Sequence, residues 1–282
     1  MAMTKPALTV VETAFAKINL ALHVRSRRAD GYHLIDSLFA FVDAGDRIEV
    51  QAAPELRLSL GGDFAGELDD GEDNLALRAA RAMQRHFGIA AGAEIRLDKQ
   101  LPVAAGLGGG SADAAAVARA LNRLWNLDAD EAALVAAIGG LGADMPVCVA
   151  SRTVVGRGIG DEMTPWPDAG MLAGRPVLLV NPGKACPTGP VYRRWDGVDR
   201  GPLGEAVAGS RNDLEPGALT LVPEIGGVLE ALNAVAGAGL VRMSGSGATC
   251  FALFDREEDR DAARREIAAA HPGWWMLAGA LR

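Results

Sequence analysis

The chain has no Cys-x-x-Cys pair and no cluster of cysteine with histidine. Its three cysteines, Cys148, Cys186 and Cys250, lie far apart and are odd in number. Neither a zinc site nor a disulfide framework is indicated, and buried, reduced thiols are expected. Runs of lysine or arginine are also missing and the net charge is -8, so nucleic acid is not an expected partner. No apolar window reaches the length of a membrane span. Glu12 and Lys17 interrupt the N-terminal hydrophobic stretch, so it is not read as a signal peptide. A cytoplasmic protein without a membrane partner is the expectation. There is no internal repeat. Aromatic residues make up only 5% of the chain, with just two tyrosines, Tyr32 and Tyr192.

What is present suits a globular enzyme. The 282 residues are 49% hydrophobic and 23% charged, enough for a sizeable core in one large domain or two modest ones. Residues 13–24 alternate: Ala16, Ile18, Leu20, Leu22 and Val24 share one face, and Phe15, Lys17, Asn19, Ala21 and His23 the other. Period two predicts a strand with one buried face. More sheet is expected over 34–50 and 56–60. A helix capped at Asp73-Asn74 follows, with Leu75, Ala79, Ala82, Met83 and Phe87 on its apolar side. Then come a strand over 93–97, a helix after the glycines at 106–110, and a helix near 130–138. An apolar strand is expected after the turn that ends at Pro146. Beyond a linker-like segment at 164–170 lie a strand at 176–180, helices near 213–236 and 256–271, and a strand over 240–254 broken at 244–248. The alternation indicates α+β with a second small layered unit at the C-terminus.

The stretch from Pro102 to Ala116 is the most informative. Four glycines, Gly106, Gly108, Gly109 and Gly110, fall within five residues, and Ser111 and an alanine-rich helix follow. Such a loop offers unhindered N–H groups and the positive end of a helix dipole to one point, which binds phosphate. It is not a Walker loop, because no lysine stands beside Ser111, and it lacks the sixth-position glycine of a dinucleotide fingerprint. Ser111 can cap the helix or reach a metal-bound phosphate. Asp113, in the first turn, supports the cap, with magnesium coordination a weaker option.

Two further groups carry chemistry. Asp144, in Leu141-Gly-Ala-Asp-Met-Pro146, is either a turn cap or a carboxylate placed to take a proton from a hydroxyl. Lys17 and Asn19 project from one face of an otherwise apolar strand. Either that face is a strand edge open to water, or the lysine pairs with a carboxylate and keeps it ionised.

The glycine loop resembles the phosphate-binding motif of the GHMP kinases. The segments Ala16-Lys17-Ile18-Asn19-Leu20, Arg28-Ala-Asp-Gly-Tyr-His33, Asp73-Asn74-Leu75, Asp98-Lys99, Leu141-Gly-Ala-Asp144-Met-Pro146, Asn212-Asp213-Leu214-Glu215 and Ser244-Gly-Ser-Gly-Ala248 are similar to the rest of the family pattern, in family order. The resemblance implies a two-domain α+β fold: an N-terminal nucleotide domain like domain 2 of ribosomal protein S5, over 1–160, and a C-terminal ferredoxin-like domain, over 161–282. It implies transfer of the γ-phosphate of ATP, with Mg2+, to an alcohol. Asp144 would be the general base and Lys17 its partner. Pro102, Val103, Ala104, Ala105, Gly106, Leu107, Gly108, Gly109, Gly110, Ser111 and Ala112 would cradle the phosphates, with Ser111 a weak metal ligand. Lys99 and Asn74 would lie near the nucleotide.

The Gly-Tyr-His segment resembles the branch of the family whose small-molecule substrate carries a cytidine diphosphate group. By that likeness Tyr32 and Tyr192 would stack on the cytosine, His33 would read its edge, and Asn19 and Thr188 would bind substrate. A monomer or weak homodimer is expected. Ala105 stands where many relatives have glycine, and Ala112-Asp113 replaces the more usual Ser-Asn. A homoserine- or mevalonate-type kinase would share the loop without needing the paired tyrosines, and a non-catalytic nucleotide-binding regulator could share the fold.

Overall fold

The computed structural model describes residues 8–282; the first seven, part of the stretch read as carrying no signal peptide, lie outside it. In chain order the elements are β1 (Thr9–Arg27), β2 (His33–Ala53), β3 (Arg57–Gly61), α1 (Leu75–Phe87), β4 (Gly92–Asp98), α2 (Gly109–Leu124), α3 (Glu131–Ile138), α4 (Met145–Ala150), β5 (Val154–Arg157), β6 (Glu162–Pro165) and α5 (Ala169–Leu172). They continue with β7 (Pro176–Asn181), α6 (Thr188–Tyr192), α7 (Glu215–Leu221), α8 (Glu224–Ala234), β8 (Ala238–Met243), β9 (Cys250–Phe254), α9 (Glu257–Ala270) and β10 (Trp275–Ala280).

Two compact units result, and a single cut near residue 160 does not separate them. The first takes the described residues up to Ala14, Gly45–Val103 and Gly110–Ala150; the second takes Phe15–Ala44, Ala104–Gly109 and Ser151–Arg282. The physical reason is the length of β1 and β2. At 19 and 21 residues each runs well beyond the usual five or six, and each contributes to both units.

In the first unit the later half of β2 pairs antiparallel with β4, from Arg47 opposite Asp98 to Ala53 opposite Gly92. β3 joins β4 in parallel. Asn74 caps α1 by accepting the Ala76 N–H, and Gly88, with φ +65°, ends it. Asp130 caps α3 in the same way by accepting the Ala133 N–H. In α2 the alanines at 112, 114, 115, 116, 118 and 120 are all buried along with Val117 and Leu121. That helix is surrounded rather than laid on a surface, and small side chains let its neighbours come close.

In the second unit Ser37–Phe39 of β2 pair antiparallel with Gly156–Val154, and β6 extends that edge. A separate four-stranded sheet runs β10-β7-β9-β8, antiparallel throughout. Helices α8 and α9 pack against it. Strand–helix–strand–strand–helix–strand with this order is the ferredoxin-like arrangement. Every residue of β7 and β9 is buried, which is why both read as unbroken apolar runs. All three cysteines are buried and none is in a disulfide.

Two expectations need correction, and one strand was not foreseen. Lys17, Asn19 and His23 are as buried as the apolar face of β1, so that strand has two covered faces rather than one. Residues 145–150 form the helix α4, not a strand. A short apolar run does not reveal its own period, and Pro146 sits in the first helical turn, where proline is tolerated. The strand β10 carries too weak an alternation to be read from sequence.

Candidate active site

Each unit holds its own part of the chemistry. In the second unit, β1 carries Lys17 into the interior at 4% exposure. Its ammonium donates to Asn19 Oδ1 at 3.0 Å and lies 5.0 Å from the centre of the Phe39 ring. The Asn19 amide donates to Ser37 Oγ, which donates on to the Ala21 carbonyl. Asn19 therefore uses both ends of its side chain inside the protein and aims the lysine. The backbone at Lys17 donates to the Leu107 carbonyl at 3.0 Å, which ties β1 to the glycine loop.

The loop itself is shaped by contact with the segment 244–248. Ser244 Oγ accepts the Asn19 N–H and donates to the Gly106 carbonyl at 2.9 Å. A Cβ at Gly106, where φ is +77°, would fall 2.3 Å from the Ser244 carbonyl oxygen, and one at Gly108, where φ is +62°, would fall 2.9 Å from Lys17 Cε. Glycine is required at both positions by neighbours as much as by the dihedral. Gly109 and Gly110 instead begin α2. Ala105 has ordinary φ, and its carbonyl accepts the Thr249 N–H, so alanine fits there. The role of the Ser-Gly-Ser-Gly-Ala segment was not legible in sequence: it braces the glycine loop. Thr188 is drawn in as well, its hydroxyl 3.1 Å from Ser246 Oγ. Asn212 holds the same segment by donating to the carbonyls of Met243 and Gly245.

The second unit also brings the aromatic residues together. The His33 ring lies 4.9 Å from that of Tyr192 and meets Trp195 edge-on at 5.8 Å. Burial, then the charge of Arg27, lowers the His33 pKa below its usual 6.5, so the imidazole is neutral at physiological pH. Tyr32 is 55% exposed, a free ring face next to that group in sequence. Trp195 was missed by sequence reasoning. Its signal was there: in a chain poor in aromatics it stands three residues after Tyr192.

In the first unit, α2 presents Gly110 to solvent and leaves Ser111 partly open. First-turn N–H groups of a helix have no partner within it, so the amides of a 16-residue helix are available to an anion here. This fits a nucleotide phosphate. Asn74 has its side chain engaged, capping α1 and donating to the Asp69 carbonyl. Lys99 is 2% exposed, and its ammonium donates to Asp46 Oδ2 at 2.6 Å and Asp113 Oδ2 at 2.7 Å. Burial alone would lower the Lys99 pKa; Asp113 and Asp46 outweigh it and hold it raised. Burial pushes the Asp113 carboxyl up to about 7 against the pull of Lys99. Its Oδ1 has no hydrogen-bond partner. Lys99 and Asn74, expected near a nucleotide, thus have structural partners first, and Asp113 answers to Lys99. Asp144 precedes α4, partly buried, and its carbonyl accepts the Cys148 N–H.

A two-unit α+β fold with a glycine-rich loop entering a helix N-terminus defines a small-molecule kinase class. Residues 74–152 match the model of the GHMP kinases N terminal domain, and residues 198–273 that of the GHMP kinases C terminal domain. The chain belongs to the GHMP kinase family and is an enzyme of the kinase type, using ATP. It is 51% identical to 4-diphosphocytidyl-2-C-methyl-D-erythritol kinase of Sphingopyxis alaskensis, over 97% of this chain and 99% of that one. It is 54% identical to the enzyme of the same name from Novosphingobium aromaticivorans, over 98% and 94%. Among solved structures, 4-(cytidine 5'-diphospho)-2C-methyl-D-erythritol kinase superposes with a TM-score of 0.81 at 35% identity, covering 96% of this chain and 98% of that one. Homoserine kinase from Cytophaga hutchinsonii superposes with a TM-score of 0.72 at 20% identity over 100% and 97%, a likeness of fold alone. Among the described residues no helix is long and apolar enough to cross a membrane.

Proposed function

We propose that this chain transfers the γ-phosphate of ATP to the C2 hydroxyl of 4-diphosphocytidyl-2-C-methyl-D-erythritol, giving the 2-phosphate and ADP. The observation that carries this is identity above 50% along nearly the whole length of relatives bearing that kinase's name. The loop and the neutral histidine beside Tyr192 support it.

The residues then take these roles. The 102–112 loop and the first turn of α2 bind the phosphates through backbone N–H groups. Asp144 accepts the hydroxyl proton as the oxygen attacks the γ-phosphorus and the bond to the β-phosphate oxygen breaks. Lys17, aimed by Asn19, keeps the carboxylate ionised. His33 reads the cytosine edge, with Tyr32 and Tyr192 stacked on the base, an arrangement in which each ring contributes about 1–3 kcal/mol. Thr188 and Asn19 complete the substrate side, Thr188 directly and Asn19 through Lys17. Among the described residues no group of three acidic, histidine or cysteine side chains could hold a metal. Mg2+ bound with the nucleotide would neutralise charge on the phosphates, with Ser111 Oγ as a weak candidate ligand to it. In phosphoryl transfer, positioning and electrostatics supply most of the rate. The buried thiols suit a cytoplasmic enzyme, acting as a monomer or weak homodimer.

Asp144→Asn tests the assignment. A lost general base lowers kcat by about 10²–10⁴-fold while the Kd for Mg-ATP stays within a factor of about two. An Asp144→Asn enzyme with near-normal kcat would remove Asp144 from the mechanism.

A further inference from the structure

The phosphate loop is held from one buried point in the first unit. The register ends with Arg47 opposite Asp98, and Asp46 and Lys99 are the next residues along each chain segment. Asp46 is fully buried. Its Oδ1 accepts the N–H groups of Gln100 at 2.6 Å and Leu101 at 2.8 Å, the last residues before the loop opens at Pro102. Its Oδ2 accepts the Lys99 ammonium, which also grips Asp113, the fifth residue of α2. One carboxylate on β2 therefore fixes where the chain enters the loop directly, and where it leaves the loop through a single lysine.

The geometry is more than a buried ion pair needs. An ion pair between Lys99 and Asp113 alone would neutralise the lysine. The two backbone N–H groups add nothing to that neutralisation; they fix two consecutive peptide planes at the loop entrance. A shift of even 1 Å in bound phosphate can lower a rate by about 10²-fold, so an anchor at each end of the loop bears on function.

We propose that Asp46 is a positioning residue for ATP: it sets the phosphate loop in its binding-competent form while touching neither substrate. This rests on the reading of 102–112 as the phosphate site. No sequence signal marks it, since Asp43-Ala-Gly-Asp46 reads as an ordinary acidic turn.

The test is calorimetric binding of Mg-ATP to the full chain, with the KM for the cytidyl alcohol and the unfolding temperature of each variant. Asp46→Ala removes the contacts that Asp46 makes to Gln100, Leu101 and Lys99 yet leaves Lys99 paired with Asp113. It should raise the Kd for Mg-ATP by about tenfold or more, with the KM for the alcohol within about twofold of normal. Asp46→Asn, which retains an acceptor for the Gln100 and Leu101 amides, should show a smaller rise. A folded Asp46→Ala protein with unchanged Kd, or with Kd and KM raised together, overturns the proposal. If Asp46→Ala does not fold, Asp46→Asn is judged by the same criterion, and if neither folds the residue is structural and the proposal falls. Gly110→Pro, which removes one backbone N–H in the first turn of α2, where proline is tolerated, separates the two claims. If it raises the Kd while Asp46→Ala does not, Asp46 alone is refuted. If neither raises it, the loop is not the phosphate site.

Discussion

Gly106 shows how much one missing side chain can hold. Its positive φ is a cost any L-residue would bear, but so is that of Gly31, where φ is +92° and nothing lies within 4 Å of an added Cβ. The difference is the Ser244 carbonyl, 2.3 Å from the added atom at Gly106. Gly31→Ala should therefore destabilise by about 1 kcal/mol, from the dihedral alone, and Gly106→Ala by at least about 2 kcal/mol, because the 244–248 segment must also move. Urea unfolding of the two variants decides it; equal losses would mean the contact with Ser244 is soft. His33 gives a second residue-scale prediction. A base whose pKa is lowered stays neutral above its usual 6.5 and charges only as pH falls below that value. The KM for the cytidyl alcohol should be flat between pH 6.5 and 8 and rise below 6.5, and an inflection above 6.5 would show that the ring is not the buried, neutral group described. Lys17 and Asn19 were legible as residues because polar side chains interrupt an apolar pattern, and His33 only through the resemblance of the Gly-Tyr-His segment. Asp46 was not, since an acid after a glycine reads as an ordinary turn, and Trp195 was passed over although it stands three residues after Tyr192.

At the scale of elements, α2 is the one whose packing differs most from its sequence signature. Val117, Leu121, Leu124 and Trp125 mark a stripe, yet the alanines between them are just as buried. Alanine there is chosen for size. Ala116→Leu, at a position with no exposure, should destabilise by about 1–3 kcal/mol through overpacking, and an unchanged thermal midpoint would show that the helix has room on that side. The strands and helices with strong periodicity or caps, such as β1, α1 and α3, could be read from sequence within a few residues. α4 could not, because six apolar residues fit either period, and β10 could not, because its pairing with β7 comes from the far side of the chain. The bracing of the glycine loop by 244–248 joins residues more than 130 positions apart, and no local pattern encodes it.

For the whole molecule, the fold fixes the class and leaves the substrate open. Homoserine kinase shares the fold at 20% identity, and mevalonate kinase from L. major shares it with a TM-score of 0.65 at 14%. Proteins named for different substrates share this fold, so the fold cannot choose among substrates. On the proposed reading the choice lies with the second unit, where the rings of Tyr192, Trp195 and His33 converge in a chain otherwise short of aromatics. The measurement that tests this most directly is ADP release by the purified chain with Mg-ATP and, in turn, 4-diphosphocytidyl-2-C-methyl-D-erythritol, homoserine and mevalonate. Turnover with the cytidyl alcohol alone is the predicted result. Turnover with homoserine or mevalonate and none with the cytidyl alcohol would contradict it, leaving the kinase fold intact and the aromatic cluster without its assigned ligand.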